Sequence, residues 1–329
     1  MKISPYIILI SLLVLTVFVS IFVGSVPFSI IQVVNALINP SSTSIVSLIV
    51  WQLRIPRIFL AGIVGAALAV SGVTMQAMFR NPMADPYVIG IASGGALGAA
   101  IAIVFNLVLF QYFMLPAFAF TGCMVSMTAV YLIARSSGSL RSENLLLSGI
   151  GISIFLSALV SILIYLSGQR LNVVIFWLMG SFSGASWLEI EIALPIIIVG
   201  IAVIFLFSRD LNAMMLGEEN AQYLGLNIKK SRWLFLIVVS LITGTAVAFA
   251  GIIGFVGLII PHIFRLIAGP DNKNLVLLSV LGGATFMIFA DSVSRSLIYM
   301  EELPVGIITA MIGIPFFLYL LNKEGKYWR

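Results

Sequence analysis

Charge is scarce in this chain. Lys, Arg, Asp and Glu together make up 9% of its 329 residues, against 61% apolar residues, and the mean hydropathy is +1.18. Soluble domains carry about a quarter charged residues, so an ordinary soluble domain is excluded. Cysteine is nearly absent. Cys123 stands alone in an apolar run, which excludes an internal disulfide framework or a thiolate cluster and leaves it a packing role. Histidine is equally rare: His262 follows Pro261 near Arg265, and one imidazole without companions reads as a satisfied interfacial histidine rather than a metal ligand. No Walker A phosphate loop occurs, so the chain cannot hydrolyse ATP unaided. The net charge of +5 is spread through loops without a basic stripe, which excludes a nucleic-acid binder.

What the chain has in abundance is long apolar runs. Ten stand out, at about 6–28, 58–79, 88–108, 111–134, 145–167, 192–207, 233–250, 252–268, 275–298 and 303–321. A helical span needs about 20 residues, which leaves the sixth and eighth short. The runs are continuously apolar rather than alternating, so they predict helices and not barrel strands. The first run has no small-residue cleavage site and reads as a retained span. The whole chain, 1–329, is expected to form one all-α polytopic membrane domain in the lipid bilayer. With both termini in the cytoplasm, thirteen of the seventeen Lys and Arg residues fall inside, and only Arg54, Arg57, Arg170 and Arg295 fall outside.

The longest polar break, Arg209 to Arg232, is cytoplasmic in that arrangement. Leu211, Met214, Met215, Ala221 and Leu224 recur within it at helix-like spacing, and Gly217 and Gly225 punctuate two short helices. Glu218 and Glu219 fall near the positive end of the second. A solvated loop would not need those apolar residues, and a docking element would.

Two helices share a pattern. Gly65-Ala-Ala67-Leu-Ala69-Val-Ser-Gly72 and Gly244-Thr-Ala246-Val-Ala248-Phe-Ala-Gly251 both read G-x-A-x-A-x-x-G. Five spans separate them, so they are expected to run in opposite directions, as in an inverted repeat. Small residues also simply let helices approach closely. Arg80-Asn81-Pro82-Met83-Ala84-Asp85-Pro86 breaks the helix at the end of the second span. Such a break serves either as an interfacial turn or as a gate. Asp291 is the one carboxylate expected at membrane depth, with Ser292, Ser294 and Arg295 as partners.

Several landmarks occur together in order: Trp51-Gln-Leu-Arg54-Ile-Pro56-Arg57, the Arg80–Pro86 break, Gly217-Glu218-Glu-Asn-Ala221-Gln-Tyr-Leu224-Gly225, Gly251-Ile-Ile-Gly-Phe-Val-Gly-Leu-Ile-Ile-Pro261-His262, and Glu302-Leu-Pro304-Val-Gly306. In these the chain resembles the FecCD permeases, the membrane subunits of ATP-binding-cassette importers for iron-siderophores, haem and vitamin B12. The resemblance implies ten helices in a type II importer fold and a second permease subunit, as a homodimer or a related pair. It also implies two cytoplasmic ATPase subunits holding ATP and Mg, an extracytoplasmic binding protein, an inner-membrane location, and no cofactor or metal on this chain.

The resemblance also assigns residues. Leu216, Gly217, Glu218, Glu219, Ala221, Tyr223, Leu224, Gly225 and Leu226 would form the ATPase-coupling element, within the loop 209–232. Asn81, Pro82 and Met83, with Ser142 and Glu143, would form a cytoplasmic gate; Arg141, Glu143 and Asn144 make this second part more polar than the family's Ser/Thr-rich pattern. Arg54, Arg57 and Arg295 would dock acidic residues of the binding protein, unless they serve lipid headgroups or, for Arg295, Glu301 and Glu302 satisfy it within the chain.

Two rival readings are weaker. An ion-coupled secondary transporter calls for mid-membrane carboxylates in both halves, and only Asp291 qualifies. An intramembrane serine protease would pair Ser93 with His262, which no sequence feature brings together. Haem, a ferric siderophore and a corrinoid are all compatible cargoes.

Overall fold

The computed structural model describes residues 5–40, 44–107, 113–136, 141–298 and 301–324, with side chains to Tyr319. Lys2, Lys326 and Arg329 of the orientation count lie outside the described residues.

The described residues are almost wholly helical. In order the helices are α1 (Pro5–Phe22), α2 (Ile30–Ile38), α3 (Ile45–Ile49), α4 (Ile55–Phe79), α5 (Ile91–Val104), α6 (Met114–Ser136), α7 (Ser142–Leu166) and α8 (Leu171–Leu178). Then follow α9 (Trp187–Leu206), α10 (Ser208–Met215), α11 (Glu218–Tyr223), α12 (Ile228–Ala250), α13 (Val256–Ala268), α14 (Asn272–Ser294) and α15 (Val305–Glu324). Seven are long and apolar enough to cross a membrane: α1, α4 with the preceding turns, α6, α7, α9, α12 and α14. The apolar helices α5, α13 and α15 complete the ten expected segments.

Boundaries differ where polar residues intrude. The first run stops at Phe22, because Ser29 caps α2 in a box with Gln32 and forces the chain to turn. α2 buries Val33 and Ala36 and is amphipathic, so it gave no continuous run. The sixth span is longer than expected: α9 begins at Trp187 and takes in Glu189 and Glu191. α13 is shorter, since Gly251–Phe255 is not helical and Phe255 adopts φ 71°.

Polar contacts show the relative direction of α1, α4, α12 and α14. Tyr6 at the start of α1 bonds Asn274 at the start of α14, while Arg295 just past the end of α14 donates to the Val23 carbonyl just past the end of α1. Arg57 near the start of α4 bonds Asp291 near the end of α14, so α4 runs against both. α12 starts at the end where α4 finishes: Arg232, like Met78 of α4, bonds Ser142. α4 and α12 are therefore antiparallel, as the count of spans between them predicts.

The packing repeats as well. α4 lies on α14 and α12 lies on α6; α5 packs on α6 and α7, and α13 on α14 and α15. Gly65 and Gly283 face each other across α4 and α14, and a Cβ on either would strike the other's carbonyl. The matching Gly244 meets Cys123 and Met124 of α6. The likeness ends at the last glycine, for Gly72 lies mid-helix against Gly257 whereas Gly251 terminates α12 at φ 70°. Almost all of α4 is buried, and small residues are what allow helices to surround it.

Candidate functional site

The end of the bundle where α4 finishes gathers the polar break, the α4–α5 break and the start of α7. α10 anchors the break by burying Leu211 and Met214, and Asn212 bonds Asp271 and Asn272 at the start of α14. Gly217, at φ 106°, turns the chain into α11, and Gly225, at φ 84°, turns it out. α11 buries only Ala221. Leu216, Tyr223 and Leu224 face outward, at 60%, 89% and 67% exposure, while Leu226 packs against the core.

Arg232 ties this element to the spans. It is buried near the start of α12, donates to Glu218 of α11 at 2.8 Å, and reaches the Ser142 hydroxyl of α7 at 3.5 Å. Ser142 in turn donates to the carbonyl of Met78 in α4 at 3.5 Å. The expected coupling element and the expected gate are thus brought together. A polar cavity of about 610 Å³ is lined by Arg80, Arg141, Ser142, Glu143, Glu218 and Glu219, among others. The sequence reading used Arg232 only as the last residue of the polar break; the available signal was that, of the three basic residues opening α12, it lies deepest, next to the apolar run.

The break itself is built from local polar bonds. Arg80 ends α4 in the left-handed region at φ 49°, and Asn81 accepts from the Met83 N–H at 2.9 Å, closing an Asx turn that sets Pro82. Asp85 accepts from the Tyr87 N–H at 2.8 Å and starts the short helix Pro86–Ile89. Burial pushes the Asp85 carboxyl up to about 6, partly offset by that N–H. The Tyr87 hydroxyl then donates to the Ile253 carbonyl at 3.1 Å and accepts from the Ile253 N–H at 3.3 Å. The break at 80–90, through its short helix, and the non-helical stretch 251–255 are therefore pinned to each other. Gln76 adds a bond from α4 to the Leu258 carbonyl at 3.1 Å.

At the opposite end the three arginines turn inward. Arg57 grips Asp291 through Nε and Nη2, each at 2.9 Å from Oδ1, and reaches Glu302 at 2.7 Å. Arg295 pairs with Asp291 at 3.0 Å and donates to Ser20 at 2.8 Å. Arg54 donates to the carbonyls of Ile21 and Val26 and stacks over Phe28. Each is less than a tenth exposed. The sequence reading set them on the outer surface; the structure uses them to bind the ends of α1, α4 and α14 together. Burial pushes the Glu302 carboxyl up, but the charges of Arg57 and Arg295 with hydrogen bonds from Arg57 and Ser25 outweigh it and hold the group below the usual range.

Asp291, the expected carboxylate at membrane depth, is thus bound between two guanidinium groups. His262 is buried edge-on to Phe316. It and Ser93 belong to different pairings, α13 on α4, α14 and α15 against α5 on α6 and α7. Among the described residues no group of three or more metal-ligating side chains occurs.

Ten apolar helices, an amphipathic element at one polar end and a sealed charge cluster at the other describe a multi-pass membrane permease. The FecCD transport family model matches residues 12–323, and the chain belongs to that family. It is 45% identical over 276 residues to the cobalamin import system permease protein BtuC of Halobacterium salinarum, covering 84% of this chain and 74% of that one. The hemin transport system permease protein HmuU of Yersinia pestis is 39% identical over 281 residues, 84% of this chain. A solved inward-facing metal-chelate type ABC transporter superposes with a TM-score of 0.86 at 34% identity, covering 97% of this chain and 100% of that one. The protein is an ABC importer permease, a transport subunit with helices that cross the membrane.

Proposed function

We propose that this chain carries a metal chelate or corrinoid into the cytoplasm, driven by ATP hydrolysis on two partner ATPase subunits seated against Leu216 to Leu226. The carrying observation is the pairing of an outward apolar patch, Leu216, Tyr223 and Leu224, with the link beneath it from Glu218 to the buried Arg232. Leucines and a tyrosine at a polar end, over a helix of six residues, are suited to cover by a protein partner. The ion pair then gives that partner a lever. Displacement of α11 pulls Arg232 on α12 and, through Ser142 and Met78, the ends of α7 and α4. Asn81, Pro82 and Met83 sit at the end of α4 and would open or close with it.

The Leu224 end is cytoplasmic in this reading, in a cell inner membrane with both termini inside, and a second permease subunit completes the pathway. A binding protein docks at the Arg57 end. There its acidic residues would have to compete with Asp291, Glu302 and the carbonyls of the α1–α2 turn for Arg54, Arg57 and Arg295. The test is uptake into proteoliposomes holding the permease, its ATPase and its binding protein. ATP-dependent accumulation of cobalamin, haem or a ferric chelate is expected; none for any of the three, with the complex assembled and hydrolysing ATP, overturns the reading.

A further inference from the structure

The cations at the α11 end of the bundle are not all answered within the chain. Arg232 has Glu218 at 2.8 Å, and the Lys273 ammonium lies over the Phe205 ring of α9 at 5.7 Å. Arg209, at the start of α10, and Lys229 and Lys230, in the first turn of α12, are exposed. Among the described residues none of these three side chains has an ion pair, a hydrogen bond or an aromatic ring as partner.

The fold sets the three beside one another and beside an apolar surface. α9 and α12 pack together, and Asp210, in the first turn of α10, accepts from the Ser231 hydroxyl of α12 at 2.9 Å. That bond draws Arg209 to the end of α12 that carries Lys229 and Lys230, and it engages the carboxylate next to them. Trp233 lies four residues past Lys229 and three past Lys230, which puts its half-exposed indole on their face of the helix. Leu206 and Phe207, exposed at the end of α9, continue the surface. Ser231 and Arg232, between the lysines and Trp233 in sequence, are buried on the other face.

We infer that this surface binds an anionic phospholipid, with Arg209, Lys229 and Lys230 on its phosphate headgroup and Trp233, Leu206 and Phe207 against its glycerol and acyl chains. Both α9 and α12 are long and apolar enough to cross a membrane, so their ends here meet the headgroup layer. Tryptophan favours that layer, and each Lys or Arg at an anionic membrane surface adds about fivefold to the affinity. A soluble anion would use the cations and leave Trp233, Leu206 and Phe207 in water. A lipid uses both, charge outward and apolar groups inward. The site needs only that these helices span the membrane and does not depend on what covers Leu224. Seated there, the lipid steadies the turn of α12 that presents Arg232 to Glu218.

The experiment places the full chain in phosphatidylcholine nanodiscs and titrates in phosphatidylglycerol brominated on its acyl chains, which quenches nearby indoles. The difference between wild type and Trp233→Phe isolates Trp233 from the other tryptophans. Its quenching should saturate at a small fraction of brominated phosphatidylglycerol, whereas brominated phosphatidylcholine should quench only in proportion to its share of the lipid. Arg209→Gln combined with Lys229→Gln and Lys230→Gln should raise the half-saturating fraction by about tenfold or more, the order expected of three such cations. Arg209→Lys with Lys229→Arg and Lys230→Arg keeps the charges and should bind as wild type. Should the triple glutamine variant fail to insert, Lys230→Gln replaces it, with a rise of about fivefold expected from one cation. Equal quenching by the two lipids overturns the inference, as does release of the lipid by inorganic phosphate at constant ionic strength. Half-saturation unchanged in an inserted glutamine variant also overturns it, and if that variant loses its ATPase subunit the cations belong to a protein partner instead.

Discussion

Arg232 of α12 and Glu218 of α11 face each other at 2.8 Å, the arginine buried and the glutamate 37% exposed on its side chain. A buried guanidinium held by a half-exposed carboxylate is a joint rather than a surface decoration. A double-mutant cycle with Glu218→Gln and Arg232→Gln should return a coupling energy of about 1 kcal/mol in thermal unfolding. The charge-swapped pair, Glu218→Arg with Arg232→Glu, should recover part of the uptake that either single change removes. Recovery no better than the worse single variant would deny the joint its role.

Asp291 bonds both Arg57 and Arg295 and is itself 1% exposed. Removing it leaves two buried guanidinium groups without that anion. Asp291→Asn is expected to destabilise the folded chain by about 3–5 kcal/mol, the usual cost of orphaning a buried charge. Fluorescence-detected size exclusion after heating would measure it. Arg57→Lys should also lose stability, because one ammonium cannot grip Asp291 and Glu302 together. A melting temperature unchanged in Asp291→Asn would show that the cluster does not brace α4 against α14.

Asp85 gives a pH dependence with a definite sign. Its carboxyl titrates near about 6 in the folded chain, against about 3.9 unfolded. The folded state therefore binds the proton more tightly, and this stabilisation is complete below about pH 4 and lost as the pH rises towards about 6. Asp85→Asn keeps an acceptor for Tyr87 and removes the charge. Melting curves from pH 4 to pH 7 should converge at the acid end, with the variant the more stable at pH 7. Parallel curves would place Asp85 in water.

The ten apolar runs, the polar break and the antiparallel relation of α4 and α12 were all legible, because each is a matter of hydropathy or periodicity along the chain. The surroundings of the arginines were not. A sequence places Arg54, Arg57 and Arg295 at a membrane boundary but does not say whether each reaches out to water or folds back on a carbonyl. Arg57 and Asp291 are 234 positions apart, and only the packing of α4 on α14 makes them a pair. α2 and α8 were hidden for a related reason: α2 is amphipathic and α8 is only eight residues long, so neither makes a run of spanning length. Arg232 lay in plain view, yet its value comes from where α11 and α7 begin.

Close helix contact supplies a further expectation. Gly65→Ala would drive a methyl group into the Gly283 carbonyl, at a cost of about 1–3 kcal/mol for overpacking. Gly184→Ala, where a Cβ would have open space, serves as the control and should change little. Equal melting temperatures for the two variants would contradict the packing of α4 on α14.

Orientation can be read chemically. With Cys123→Ala as background, a cysteine at Asn220, exposed on α11, should resist an impermeant thiol reagent in intact cells and react after lysis. Ready labelling of intact cells would reverse the assigned sides and remove the coupling role of 216–226 together.

The central claim, that the outward face of α11 seats an ATPase, is tested most directly by Leu224→Asp. Leu224 is 67% exposed and contributes little to the fold of this chain, so the variant should insert and melt as wild type. A covered interface, in contrast, would have to bury an unpaired carboxylate, which costs several kcal/mol and is relieved only by dissociation. The measurement is recovery of the ATPase subunit with the tagged permease, alongside ATP-driven uptake; both should fall about tenfold or more, the order expected of a lost interface contact of that kind. Full recovery of the ATPase, or uptake driven by a proton or sodium gradient with no ATPase present, would contradict it.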